Sequence, residues 1–320
     1  MTYENAIRVA VVGATGYAGV ELSAILARHQ GAEVVGTFDS TFTVESLDGL
    51  SPELVFLATP NEVSAELAPK LLAAGMRVID LSGAFRLREA DLYPQWYGFG
   101  HNDPKLLEEA VYGLTEFCNG ELKTARLVAN PGCYPTSVLL ALRPLTYLID
   151  REQAIICDSK SGVSGAGKKS DLAFSFTELF GNFKAYGIGT HRHEPEIRQG
   201  LHLGNRATLV FVPHLLPTVR GILSTMHVGF TRAITVEEID KLYSDAYANA
   251  PFVKVLPHGQ LPELKNVVGK NHAEIGYTLL QGGRRAVVVS VIDNLLKGAA
   301  SQAVQNFNRM YGYGETEGLS

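Results

Sequence analysis

One cysteine, one pair of histidines and one run of glycines stand at spacings suited to chemistry. Asn130-Pro131-Gly132-Cys133-Tyr134-Pro135-Thr136 places Cys133 on a tight turn ahead of a helical stretch. A thiol there lies in the positive end of the helix dipole, which favours the nucleophilic thiolate. Cys157 sits in an apolar strand and Cys118 in no motif, so both read as inert. A thiol nucleophile needs a proton partner. His191-Arg192-His193-Glu194-Pro195-Glu196 is the one dense polar cluster containing histidine. If that segment is extended, His191 and His193 point the same way, and either can serve as the acid/base. His214 ends an apolar strand and reads equally well as structural, while His29, His202 and His258 read as surface or loop residues.

Gly13-Ala14-Thr15-Gly16-Tyr17-Ala18-Gly19 follows an apolar run and opens a helix. The first two glycines of such a turn admit a pyrophosphate close to the backbone. The third lets helix and strand pack tightly, and the helix N-terminus supplies N–H groups. These residues are therefore expected to bind a dinucleotide. The next strand ends in Thr37-Phe38-Asp39-Ser40-Thr41, which sets Asp39 near the adenosine ribose, and no Arg or Lys occurs between Arg28 and Lys70. Two further loops look suited to anions: Lys160 to Lys169, rich in Gly and Ser, and Asp80 to Arg86 at the end of a strand. The guanidinium groups of Arg86, Arg192 and Arg220 match phosphate or carboxylate.

The elements that must position these groups fall into two patterns. Apolar runs at 7–12, 33–38, 54–59 and 77–82 alternate with helical stretches at 20–29 and 62–74, which predicts a doubly wound parallel sheet of Rossmann type. Beyond about residue 150 come longer strands, at 154–159, 207–214, 221–230 and 285–293, with one clear helix at 236–249. That pattern predicts an α+β domain with a mixed or antiparallel sheet. The expected division is 1–133 with 299–320 as a dinucleotide-binding domain, a helix at 298–312 folding back on it, and 134–298 as a catalytic and oligomerisation domain. For 320 residues, two domains are also what about 150 residues per domain predicts.

Composition narrows the function classes. Hydrophobic residues make up 46% and charged residues 19%, enough to bury a core. The net charge of 28 − 33 = −5, without a basic tail, argues against nucleic acid or an anionic membrane as partner. No apolar stretch approaches the ~20 residues that span a bilayer, and the first residues run straight into a strand without a secretory leader. Three widely spaced cysteines give neither a disulfide framework nor a metal knuckle. A cytoplasmic, metal-free protein is expected.

GATGYAG, DLSGAFRL, VYGLTE, NPGCYPT, KSGVSGAGKK, HRHEPEI, VPHLLPTVRGI and DNLLKGAASQAVQN, in this order, span nearly the whole chain. Together they resemble the N-acetyl-γ-glutamyl-phosphate reductases of arginine biosynthesis, within the wider semialdehyde dehydrogenase group. The resemblance implies NADPH-dependent reduction of an acyl phosphate to a semialdehyde through a thioester on Cys133, and self-association as dimer or tetramer. It implies cofactor contacts at the glycine turn, Asp39, Ser40, Ser164, Gly165 and Asn294. Substrate and phosphate contacts fall on Ser82, Arg86, Asn130, Arg192, Glu194 and Arg220. Aspartate-semialdehyde dehydrogenase and a carrier-linked aminoadipyl-phosphate reductase are the neighbouring activities, and a dinucleotide-sensing module without chemistry is the distant one. Two departures stand out: Ala84 replaces an expected aspartate, and residues 37–53 lack the serine/arginine loop associated with the 2′-phosphate. NADP(H) is the family's cofactor; the loop predicts weaker discrimination against NAD.

Overall fold

The computed structural model describes residues 6–168, 176–204 and 207–319, so Lys169 of the second anion loop lies outside the described residues. The chain divides into two compact units, Met1–Gly132 with Ala299–Ser320, and Cys133–Gly298.

In the first unit the aliphatic run forms β1 (Ile7–Val12), whose last four residues are buried as a strand covered on both faces must be. α1 (Tyr17–Leu26), β2 (Ala32–Phe38), β3 (Leu54–Leu57), α2 (Asn61–Ala73) and β4 (Arg77–Asp80) continue the alternation. Three short helices follow, α3 (Tyr93–Tyr97), α4 (Pro104–Glu109) and α5 (Glu121–Thr124), with strands β5 (Val111–Tyr112) and β6 (Leu127–Ala129). All pairings are parallel, in the order β2-β1-β3-β4-β6-β5. The chain leaves β1 for β2 on one side and later places β3 on the other. The ends of β1 and β3 therefore form the switch point where doubly wound sheets bind ligands.

The helix after the glycine turn begins at Tyr17 and ends at Leu26, earlier at both ends than the expected 20–29. Residues 27–31 turn instead, and His29 is not a surface residue. It is 3% exposed, with Nε2 2.7 Å from Asn308 Oδ1 and Nδ1 accepting from the Gly31 amide. The C-terminal helix, Ser301–Tyr311, supplies Asn308 and packs on α1 and β4. Sequence distance hid this partner: 279 residues separate His29 from Asn308.

The second unit holds α6 (Cys133–Leu142), β7 (Ile155–Gly162), α7 (Phe176–Leu179), β8 (Lys184–Ala185), α8 (His193–Gly200), β9 (Leu209–Leu216), β10 (Ile222–Gly229), α9 (Val236–Tyr247), β11 (Val253–Val255), β12 (Ala273–Leu280) and β13 (Arg285–Ile292). Its sheet runs β11-β12-β13-β10-β7-β9-β8, with β11/β12 and β7/β9 parallel and the remaining pairs antiparallel, a mixed sheet. α6 packs against β10 and β13, and Ser137 of α6 donates to Ser224 of β10 at 3.0 Å on that buried face. Burial alternates along β9 and along β7 and β10 up to their last residues, so Ile156, Val210, Val212 and Leu223 fall on the other, partly exposed face. Strand β12 and helix α8 were not expected. The first reads as loop because Gly276 interrupts its apolar run; the second is short and rich in charge.

Candidate functional site

In the first unit the glycine turn sits at the switch point. Gly13 has φ +84°, and a Cβ there would strike the carbonyl of Ala58, just past β3; a Cβ on Gly19 would strike the Gly13 carbonyl. Neither position admits a side chain. Gly16 is different: a Cβ would meet only the Gly13 carbonyl, at an ordinary 3.6 Å. The protein does not itself require that glycine, which leaves room for a ligand. Gly16 caps α1 without any side-chain hydrogen bond, so the helix presents amides that an anion can take. The amides of Gly13 and Ala14 donate to the Phe38 carbonyl at 2.8 and 3.0 Å, which ties the turn to the end of β2.

A cavity of about 540 Å³ opens there, lined by Ala14, Thr15, Val20, Ser23, Thr37, Phe38, Asp39, Thr41, Phe42 and Ser46. The Ser23 hydroxyl is buried without a partner among the described residues. Asp39 is exposed, and its Oδ1 accepts from the Thr41 amide at 2.9 Å and the Thr41 hydroxyl at 2.8 Å. Those two hydrogen bonds hold its carboxyl below the ordinary range, so it is ionised at neutral pH. Tyr17 is 44% exposed at the mouth of the turn, and Ser40 is exposed beside Asp39.

The Asp80–Arg86 loop is built inward. Asp80 is fully buried and accepts from the Ser82 amide at 2.9 Å and hydroxyl at 2.7 Å; burial raises its carboxyl, against those hydrogen bonds and nearby Arg86. Arg86 is 7% exposed and donates to the carbonyls of Asn130 at 2.8 Å and Leu81 at 2.7 Å. Asn130 is fully buried, giving its amide to Ala299 and accepting from Asn306. Through these hydrogen bonds Arg86 and Asn130 tie the loop before Cys133 to its neighbours and to the C-terminal segment. Ser82 gives its hydroxyl to Asp80. Ala84 is fully buried, where the resemblance led one to expect an aspartate.

In the second unit Cys133 is the first residue of α6 and is half-buried, whereas Cys157 is fully buried and its thiol is pushed up by burial. Half-buried Cys118 lies against the carbonyls of Leu114 and Tyr112, at 3.4 and 3.5 Å. Next to Cys133, Tyr134 stacks edge-on against both His191, at 5.6 Å, and His193, at 5.9 Å between ring centres. Its hydroxyl meets that of Tyr186 at 3.2 Å and donates to the His214 carbonyl at 3.1 Å. Tyr186 and Phe211 close the cage around His191. The Tyr186 phenol is pushed up to about 12 by burial, with Cys133 adding to it. Tyr134 is raised further by burial, with Tyr186 and Cys133 contributing.

The extended geometry expected for the two histidines does not form, because His193 is the first residue of α8. The pair is still joined, by a turn: rings 4.8 Å apart, and the His193 amide donating to His191 Nδ1 at 3.1 Å. With Nδ1 an acceptor, the proton of the neutral ring is assigned to Nε2. Burial, helped by Arg192, lowers His191 to about 4, so it is neutral at pH 7. Arg192 is exposed; Glu194 is half-buried and raised by burial, against the pull of Arg198.

Sequence reasoning missed Gly298. A Cβ there would lie 2.8 Å from Cys133 Cβ, so the DNLLKGA segment forms a wall of the thiol's seat. Asp293 shapes that segment: fully buried, it accepts from the amides of Leu295, Leu296 and Gly269 and lies 3.7 Å from Arg220. The Arg220 side chain, the third guanidinium expected to meet an anion, is 25% exposed. Asn294 is 2% exposed; its side chain accepts from the Gly221 amide and donates to the Ser164 hydroxyl, joining two loops. Ser164 is buried; Gly165 is exposed on the same turn. Among the described residues no group of three or more His, Cys, Asp or Glu is placed to hold a metal ion, and no helix is long and apolar enough to cross a membrane.

Comparison with known proteins gives the family and the fold. Residues 133–294 match the semialdehyde dehydrogenase dimerisation domain, and 40–125 the semialdehyde dehydrogenase NAD binding domain. N-acetyl-γ-glutamyl-phosphate reductase of Symbiobacterium thermophilum is 46% identical over 98% of this chain and 97% of its own length. That of Halorhodospira halophila is 47% identical over 98% of both. Aspartate semialdehyde dehydrogenase II of Vibrio cholerae, solved as a complex with ASA, shares the fold with a TM-score of 0.75 at 19% identity, over 97% of this chain and 99% of that one. Aspartate semialdehyde dehydrogenase of Candida albicans, solved with NADP, gives 0.69 at 13% identity, over 96% and 99%. The chain belongs to the semialdehyde dehydrogenase family, among the N-acetyl-γ-glutamyl-phosphate reductases.

Proposed function

We propose that this chain reduces N-acetyl-γ-glutamyl phosphate to N-acetylglutamate γ-semialdehyde, a step of arginine biosynthesis. The observation that carries the reading is the seat of Cys133 at the start of α6, walled by Gly298 and followed by Tyr134, whose ring meets both His191 and His193. The Cys133 thiolate attacks the acyl carbon, the bond from carbon to the phosphate oxygen breaks, and a thioester forms. The departing phosphate takes up the one proton that the overall reaction consumes, delivered by His193 or water. The glycine turn and the cavity beside it would hold a reduced nicotinamide dinucleotide, which would supply the hydride that the thioester carbon receives. His191, neutral with its proton on Nε2, hydrogen-bonds the resulting oxyanion, whose collapse breaks the carbon–sulfur bond and returns the thiolate. Arg220, oriented by Asp293, and exposed Arg192 are the cations offered to phosphate or to the α-carboxylate.

The glycine turn and the cavity beside it are the dinucleotide's seat; the resemblance implies NADP(H), whose 2′-phosphate the Asp39 carboxylate at the cavity opposes. Self-association is supported by the match of residues 133–294 to a dimerisation domain, the partly exposed face of whose sheet carries Ile156, Val210, Val212 and Leu223 among polar residues. The direct test is phosphate-dependent reduction of NADP and NAD with N-acetylglutamate semialdehyde, run beside aspartate semialdehyde. Turnover with the first substrate and not the second is expected; the reverse preference overturns the reading.

A further inference from the structure

The ribose end of the dinucleotide site does not fit a 2′-phosphate. Of the ten residues lining the cavity at the end of β2, Asp39 is the one that carries a charge, and the charge is negative. The neighbouring polar groups are hydroxyls: Thr15, Ser23, Thr37, Thr41 and Ser46. Arg28 lies beyond the C-terminal end of α1, away from the turn, and Lys70 is engaged by Glu66 at 2.7 Å.

The Asp39 carboxylate is also set in place. Its Oδ1 is held twice by Thr41. The strand end carrying it is fastened to the glycine turn through the Phe38 carbonyl. A carboxylate so placed accepts hydrogen bonds from the 2′- and 3′-hydroxyls of a ribose and repels a phosphate in the same position.

We propose that Asp39 is the specificity-determining residue of this cofactor site and selects an unphosphorylated ribose, so that NAD(H) binds in preference to NADP(H). The inference rests on the proposed function for there being a dinucleotide site at all. It concerns only which dinucleotide occupies it.

The test is binding, read without turnover. Isothermal titration of the full-length protein with NAD⁺, NADP⁺, 5′-AMP and 2′,5′-ADP is expected to show tighter binding of the two ligands lacking the 2′-phosphate. Asp39→Asn should move the NAD⁺/NADP⁺ affinity ratio towards NADP⁺ by about tenfold or more, the scale of one charge-assisted hydrogen bond. Preference of the unaltered protein for NADP⁺ and 2′,5′-ADP overturns the proposal even if the variant fails to fold, and leaves the proposed function standing. An unchanged ratio in a folded variant also overturns it. Failure to bind any of the four overturns this proposal and the dinucleotide part of the proposed function together.

Discussion

The amide of His193 donates to Nδ1 of His191 at 3.1 Å, and this one contact decides which nitrogen of His191 is free to act. The ring is neutral because burial lowers it to about 4, and its proton is then on Nε2. His191→Gln, which keeps an N–H near the Nε2 position, should retain more activity than His191→Ala. The alanine variant should lose roughly 10²–10³-fold in kcat, as for loss of an oxyanion donor. Equal losses in both variants, measured in a chemistry-limited assay, would show that Nε2 works as a base.

The same shift makes a pH prediction. His191 has a folded value below its ordinary 6.5, so the unfolded chain binds the proton more readily. Its contribution to stability is therefore present above about 6.5 and lost as pH falls towards about 4. Urea unfolding between pH 7 and 4 should show a decline that is smaller in His191→Gln. Parallel declines would place the titration elsewhere.

Gly298→Ala should push Cys133 from its seat, since the new Cβ would lie 2.8 Å from that of Cys133. Overpacking of this kind costs about 1–3 kcal/mol in stability. We expect kcat to fall at least about tenfold, as misplacement of a reacting group predicts, with dinucleotide affinity unchanged. Iodoacetamide should label Cys133 before Cys118 and Cys157 in the unaltered protein, and Cys133→Ser should abolish turnover. Earlier labelling of either other thiol would contradict the nucleophile assignment.

Arg86 and Arg220 should separate cleanly. Arg86→Ala leaves two carbonyls without their donor in a buried loop and should cost about 1–3 kcal/mol of stability. Arg220→Ala should raise KM for phosphate or acyl phosphate by about tenfold or more, and should also lower Tm because Asp293 loses its ion partner. Arg220→Lys should restore Tm more than KM, since it returns the charge without the planar fork. A KM effect confined to Arg86→Ala would return that residue to the anion site.

What the sequence determined by itself was everything written in short-range grammar. Continuous apolar runs alternating with helical stretches predicted the parallel sheet, and a turn followed by a helix marked Cys133 and the glycine run, because backbone sterics and helix-end electrostatics act over a few residues. Tertiary structure decided the rest. Arg86, Asn130 and Asn294 look alike on paper as polar residues in motif loops, yet each is buried against carbonyls or amides drawn from distant parts of the chain. Gly298 earns its place only from the Cβ of Cys133, 165 positions away by 298 − 133. The tautomer of His191 rests on a local turn that an extended reading could not contain. Such roles depend on which polar groups are paired and which are open, and pairing across long chain separations is set by packing alone.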